Sequence, residues 1–186
     1  MKRTLIGLAA LTLCAAASAQ VYGVVSVGGS RLDVDCTGIS NCDKSDTAFK
    51  LLGGYRFMPN LAAEVGYFDF GKAKASDSTT SLSLDTTAFG GGIAYHQDLS
   101  PDWNFVARLG VASVKTKVSA SVAGVGSASD SDSNAQAYYG LGVGYKISKN
   151  TSLDLAWDGT RTKYSSGGVS ASDNVYALSV GLTFGF

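Results

Sequence analysis

The C-terminal stretch alternates with a period of two: Tyr176, Leu178, Val180, Leu182, Phe184 and Phe186 are separated by Ala177, Ser179, Gly181, Thr183 and Gly185. Successive side chains of a strand point to opposite faces, so this segment is a strand with one large apolar face and one small, polar face. Helical spacing would mix the two sets. The pattern recurs in Ala137, Tyr139, Leu141, Val143, Tyr145 and Ile147 against Tyr138, Gly140, Gly142, Gly144 and Lys146. It recurs again in Phe49, Leu51, Gly53, Tyr55 and Phe57 against Lys50, Leu52, Gly54 and Arg56. A chain built this way has to find an apolar surrounding for one face of nearly every strand.

Extending the pattern predicts eight strands, at about 20–30, 47–57, 61–71, 84–97, 103–115, 134–147, 152–163 and 174–186. Their connections alternate in length. Met58-Pro59-Asn60, Asp98 to Asp102 and Ser148 to Thr151 are short, whereas Arg31 to Asp46, Lys72 to Ser83, Thr116 to Ser133 and Tyr164 to Asp173 are long. Both prolines, Pro59 and Pro101, fall in short turns, where a missing N–H breaks no ladder. An even strand number with tight turns on one rim and Ser/Asp/Gly-rich loops on the other is the pattern of a transmembrane barrel of the bacterial outer membrane. The expected fold is all-β: an eight-stranded antiparallel up-and-down transmembrane β-barrel, its short turns in the periplasm.

Charge placement tests that expectation. Lys50, Arg56, Glu64, Arg108, Lys146 and Asp154 fall on the parity opposite to the large aromatic and aliphatic residues of their strands, and share it with the glycines. An eight-stranded interior is just wide enough to be filled by side chains. A Gly- and Ala-lined lumen can hold these charges but not all the bulky residues as well. The greasy face therefore points outward, which in water would expose a patch far beyond the few hundred Å² that monomers tolerate. Lipid is the consistent solvent. Tyr67, Tyr95, Trp103, Tyr145, Trp157, Phe184 and Phe186 lie near strand ends on the outward parity, as aromatic girdles require.

Composition narrows the alternatives. With 15 Lys+Arg balancing 15 Asp+Glu there is no excess charge to draw nucleic acid. The 23 glycines are accompanied by 9 Tyr, 8 Phe and 2 Trp, too much apolar surface for a disordered chain. Residues 1–19 read as a signal peptide: Lys2 and Arg3 precede the apolar run Leu5 to Ala16, and Ala17-Ser18-Ala19 has the small-x-small form of a cleavage site. The barrel domain then occupies 20–186. Cys14 follows Leu13, not the small residue that lipidation requires. Export leaves Cys36 and Cys42 in an oxidising compartment, where a disulfide across the first external loop is expected and a pair of free thiols is the alternative. Beyond residue 19 no stretch approaches the roughly 18 apolar residues of a membrane helix.

The leader, the eight-strand pattern and the terminal Ser179-x-Gly181-x-x-Phe184-x-Phe186 resemble the small OmpA-like or opacity-type outer-membrane barrels. The last strand of that family ends in a polar-x-Gly-x-x-aromatic-x-aromatic signal, so the resemblance implies that Ser179, Gly181, Phe184 and Phe186 address the chain to the barrel-assembly machinery. It also implies residence in the cell outer membrane, contact with lipid and lipopolysaccharide, a monomeric state, and an internal ion network. The candidate pairs are Arg56 with Glu64 and Lys146 with Asp154. No peptidoglycan-binding segment follows Phe186, so the wall-anchoring role of larger relatives is not carried over.

Signals for chemistry are weak. His96, the only histidine, sits beside Gln97 and Asp98 at the periplasmic end of its strand, with no serine in an evident triad position. One histidine and two cysteines supply too few ligands for zinc. Gly90-Gly91-Gly92 and the glycines at 140, 142 and 144 lie inside strands with no helix to follow, which is not how phosphate loops are built. Asp130 to Asn134 begins like a calcium loop but lacks its Gly and closing Glu, so a solvated acidic loop is the default. Asn150-Thr151-Ser152 matches the glycosylation triplet in a bacterial-type turn and carries no weight. The chain is thus expected to be no enzyme and to need no cofactor or metal. Three roles remain: a structural or surface-interaction barrel acting on an extracellular ligand through its loops, which the pattern favours; a narrow porin-like channel; and a soluble lipocalin-type barrel, which the outward greasy face opposes.

Overall fold

A computed structural model of the chain describes residues 20–33, 41–76, 80–122, 124, 126–166 and 169–186. The described residues form nine strands: β1 (Val21–Leu32), β2 (Asn41–Asp43), β3 (Ser45–Met58), β4 (Leu61–Ser76), β5 (Thr80–Asp98), β6 (Trp103–Val122), β7 (Gly126–Lys146), β8 (Thr151–Ser166) and β9 (Val169–Gly185). All but β2 are staves of a closed antiparallel barrel, ordered β4-β3-β1-β9-β8-β7-β6-β5 and sealed by β5 on β4. First and last strands meet from Tyr22↔Gly185 to Leu32↔Val175. Closure leaves no sheet edge within the hydrocarbon, where an unpaired N–H or C=O costs several kcal/mol.

Burial follows the two-residue period. In β3, Ala48, Lys50, Leu52 and Gly54 are inside while Phe49, Leu51, Gly53 and Tyr55 are outside. Leu109 is 70% exposed, Phe89 61% and Leu178 56%, values that only an apolar solvent accommodates. The girdles form on the outer surface. Trp103 and Tyr145 stand edge to face at 5.2 Å near the short-turn rim, and Tyr139, Trp157 and Tyr176 make a run of ring contacts of 5.5–5.6 Å nearer the other rim.

The strands are longer than the sequence pattern predicts. β5 has 19 residues, β6 20 and β7 21, whereas about 9–11 cross a bilayer. Segments 72–83 and 116–133, expected to be loops, are largely paired ribbon. The β6–β7 ladder runs without a break from Trp103↔Tyr145 to Val122↔Gly126. Ser- and Asp-rich composition suggested a loop, but once the transmembrane part has fixed the register, each further pair adds ladder hydrogen bonds without a new closure cost. The Asp130 to Asn134 motif is therefore extended strand instead of a turn. Met58 to Leu61, Asp98 to Trp103 and Lys146 to Thr151 are the tight turns, the last closed by Ile147 N–H donating to the Thr151 carbonyl at 2.9 Å. By the usual disposition of such barrels these face the periplasm.

Candidate functional site

The inward residues divide the lumen into three levels. Toward the extracellular end it is a dry core: Leu32, Phe70, Val114 and Val175 are at most 1% exposed, with Thr86, Thr116 and Thr160 equally enclosed. Phe68 stacks on Phe70 at 6.1 Å and leans on Tyr138 at 4.6 Å. Phe68 and Phe70 share the parity of Glu64 on β4, so two large aromatics do lie inside.

The middle level is ionic. Lys50 on β3 pairs with Asp158 on β8, whose Oδ1 also accepts the Tyr138 hydroxyl at 2.8 Å. Gly140, opposite Asp158, has no side chain because a Cβ there would collide with the Asp158 carboxylate. One layer away Arg108 Nε donates to Glu64 Oε2 at 2.8 Å, and the Tyr22 hydroxyl donates to Glu64 Oε1 at 2.6 Å. Side-chain exposures of 3–6% put all four charges out of contact with bulk water. Two charges lifted from water are costly, and each pair is offset by its partner and the added tyrosine bond. His96 Nε2 lies 3.0 Å from the Tyr22 oxygen, with the rings edge to face. Since Tyr22 gives its proton to Glu64, the imidazole must carry its own proton on Nε2 and donate it to the tyrosine oxygen.

Below the ion pairs the lumen opens. A cavity of about 510 Å³ reaches from the short-turn rim to Tyr22, Arg56, His96, Asn104 and Thr183, and a smaller recess of about 30 Å³ continues to Asp154. The Asp154 carboxylate accepts the Ser152 hydroxyl at 3.0 Å and the Thr183 hydroxyl at 2.5 Å. At the rim Lys146, half-buried, reaches the exposed Asp98 at 2.8 Å.

Lys50, Arg56, Glu64, Arg108, Lys146 and Asp154 are on the inward face, but not in the pairs the sequence suggested. Glu64 is taken by Arg108, leaving Arg56 over the face of Tyr22 with its guanidinium carbon 5.4 Å from the ring centre. Lys146 is opposite Ser152 and Asp154 is opposite Gly144, a register two residues away from one that would join Lys146 to Asp154. The hairpin closes at Ile147 and Thr151, which puts Ser152, not Asp154, across from Lys146. Asp158, Tyr22 and Tyr138 were not singled out. For Asp158 a signal existed: it follows Trp157, and a lipid-facing Trp157 puts its neighbour inside. Ser179 is buried in the lumen, Gly181 is half-buried, and Phe184 and Phe186 are on the lipid face. Cys36 lies outside the described residues, so its pairing with Cys42 does too. Among the described residues no three His, Cys, Asp or Glu side chains gather where they could hold a metal ion.

Residues 4–186 match a family described as an outer membrane protein beta-barrel domain. Among solved structures, the chain is similar to Ail, the attachment invasion locus protein of Yersinia pestis (16% identity, TM-score 0.56, covering 90% of this chain and 99% of that one). It is similar to neisserial surface protein A (16% identity, TM-score 0.58, 89% and 97%) and to the N-terminal β-barrel domain of Pseudomonas aeruginosa OprF (13% identity, TM-score 0.54, 90% and 98%). No curated protein matches. At such identities the likeness is one of fold.

Proposed function

The chain belongs to the outer-membrane protein β-barrel family and resides in the cell outer membrane, and from that premise we propose that it acts as an occluded barrel displaying its long ribbons outside the cell as a surface for binding an extracellular ligand. The observation that carries this is the contrast between the two ends. The extracellular half of the lumen is filled by Leu32, Phe70, Val114 and Val175, while β5, β6 and β7 continue well past the length needed to cross lipid. Material invested beyond the membrane stiffens a display surface; it does nothing for a pore. One of the similar structures, Ail, bears a name describing attachment and invasion, which agrees in kind with a surface role.

The channel alternative is opposed by the same core and by the two buried ion pairs beneath it, whose four charged side chains are only 3–6% exposed. Catalysis is opposed by His96, whose Nε2 is engaged by Tyr22 and which has no serine within hydrogen-bond reach among the described residues. Planar-bilayer recording of the refolded protein is expected to give no unitary steps, and cells displaying the barrel should bind host-type surfaces only while the β6–β7 ribbon is intact. Stable conductance, or binding indifferent to excision of 116–133, would overturn the proposal.

Two further features belong to it. Residues 1–19 act as a cleaved leader, so the exported protein starts at Gln20, and Cys36 and Cys42 form a disulfide in the first external loop. Intact mass of the non-reduced protein from outer membranes tests both: the mass should correspond to a chain from Gln20 with no alkylatable thiol.

A further inference from the structure

Each of Lys50, Arg108 and Lys146 has a carboxylate within 2.8 Å or less, whereas among the described residues none pairs with Arg56. Its Nε is shut off from solvent and has no acceptor. Of the carboxylates near it, Glu64 has both oxygens held by Tyr22 and Arg108, Asp154 is held by Ser152 and Thr183, and Asp98 pairs with Lys146, while Asp102 stands exposed in the short turn at the rim of the cavity. A guanidinium cannot shed its proton, and its planar fork of N–H groups matches a carboxylate or phosphate. This one stands, half-buried, in the wall of a cavity of about 510 Å³, within the range of small-molecule sites.

We propose that the periplasmic vestibule is a binding site for a small solute carrying an oxyanion, a carboxylate or phosphate group, anchored by the Arg56 guanidinium. The face of Tyr22 holds the guanidinium from one side, and the Asn104 amide on the cavity wall supplies a second polar contact. The lumen above is closed by Glu64–Arg108, Lys50–Asp158 and the Phe70 core, so the solute enters and leaves from the periplasm alone. The site is a cup, not a passage, and it is independent of any role of the external ribbons.

The test uses the full mature chain refolded in detergent micelles, with the Arg56 Nε–H and Asn104 side-chain amide followed by NMR. Acetate, succinate and inorganic phosphate are titrated at constant ionic strength against chloride. A saturable shift of both signals is expected, and R56Q should weaken it about tenfold or more, the loss of one charge-assisted contact. Saturation by phosphate alone assigns a phosphate-bearing solute and saturation by acetate or succinate alone a carboxylate; either upholds the site. Shifts no different from those in chloride, or affinity unchanged in R56Q, overturn it. Should R56Q fail to fold, D154N decides, because it keeps an acceptor for Ser152 and Thr183 while removing the opposing charge from the recess. Tighter binding in D154N upholds the proposal and unchanged or weaker binding overturns it.

Discussion

Lys50 and Asp158 stand 108 positions apart in the chain and form an ion pair across the middle of the lumen, with side-chain exposures of 5% and 3%. They sit on β3 and β8, which are not neighbours in the barrel wall, so the contact spans the interior instead of running along it. Tyr138, on the adjoining β7, takes the remaining side of the carboxylate. A cross-lumen tie of this kind resists flattening of the barrel and closes the route that a solute would follow.

Removing one partner should cost more than removing both. Asp158→Ala strands the Lys50 ammonium in a site without bulk water, and the expected loss is about 3 kcal/mol or more. The double change with Lys50→Met should recover a large part of that. Urea unfolding in lipid vesicles gives the cycle, and a coupling energy within error of zero would mean that the two charges find separate solvation.

Lys146 provides the contrast. Its partner Asp98 is 70% exposed and Lys146 itself 34%, so the pair is screened and its coupling should stay below about 1 kcal/mol. Lys146→Ala and Asp154→Ala should be additive in the same assay, because the β7–β8 register holds them apart. A coupling of about 2 kcal/mol between Lys146 and Asp154 would indicate a hairpin closed two residues differently from the one described.

What could be read from the sequence is what the membrane itself dictates. Tyr176 to Phe186 shows its parity because lipid requires large apolar groups on every second residue and the narrow lumen tolerates small ones between them. The short turns at Pro59 and Pro101 were legible for a similar reason, since a proline there breaks no ladder. Above the membrane that constraint lapses. Ser119, Ser121, Ser127 and Ser129 look like a loop, yet they pair with one another because the register is inherited from below. Partner choice in the lumen was also hidden. Parity places Glu64 inside, but whether it meets Arg56 or Arg108 depends on strand tilt and stagger, which bring residues 44 positions apart to 2.8 Å.

The C-terminal strand is expected to control assembly. The Phe186 N–H donates to the Val21 carbonyl at 2.9 Å, at the seam where β9 closes on β1, and Phe184 and Phe186 both face lipid. Phe184→Asp puts a charge near the interface, a cost of about 1 kcal/mol that does not by itself prevent folding. A large loss of outer-membrane barrel, scored by heat-modifiable migration, would therefore report recognition by the assembly machinery. Deleting Phe186 should give the same loss, and normal assembly of both variants would refute the signal.

Asp46 makes the final prediction, at the extracellular end of β3. Its carboxylate accepts the backbone N–H of Thr47 at 2.8 Å and that of Lys72 at 2.7 Å, and these bonds hold its pKa below the usual carboxylate value. The β4 chain is bent to reach it by a bulge between Asp69 and Lys72, where Gly71 adopts φ 71°, a conformation that side chains disfavour. A depressed folded-state pKa contributes stability above the unfolded value of about 4, which is lost as pH falls through the folded value. Amide exchange at Lys72, corrected for intrinsic rate, should therefore be level between pH 7 and pH 5 and rise several-fold toward pH 3. Asp46→Asn should show the faster exchange already at pH 7, because the neutral amide is the weaker acceptor. If the variant and the natural chain protected Lys72 equally at neutral pH, the charged carboxylate would have no part in holding the bulge.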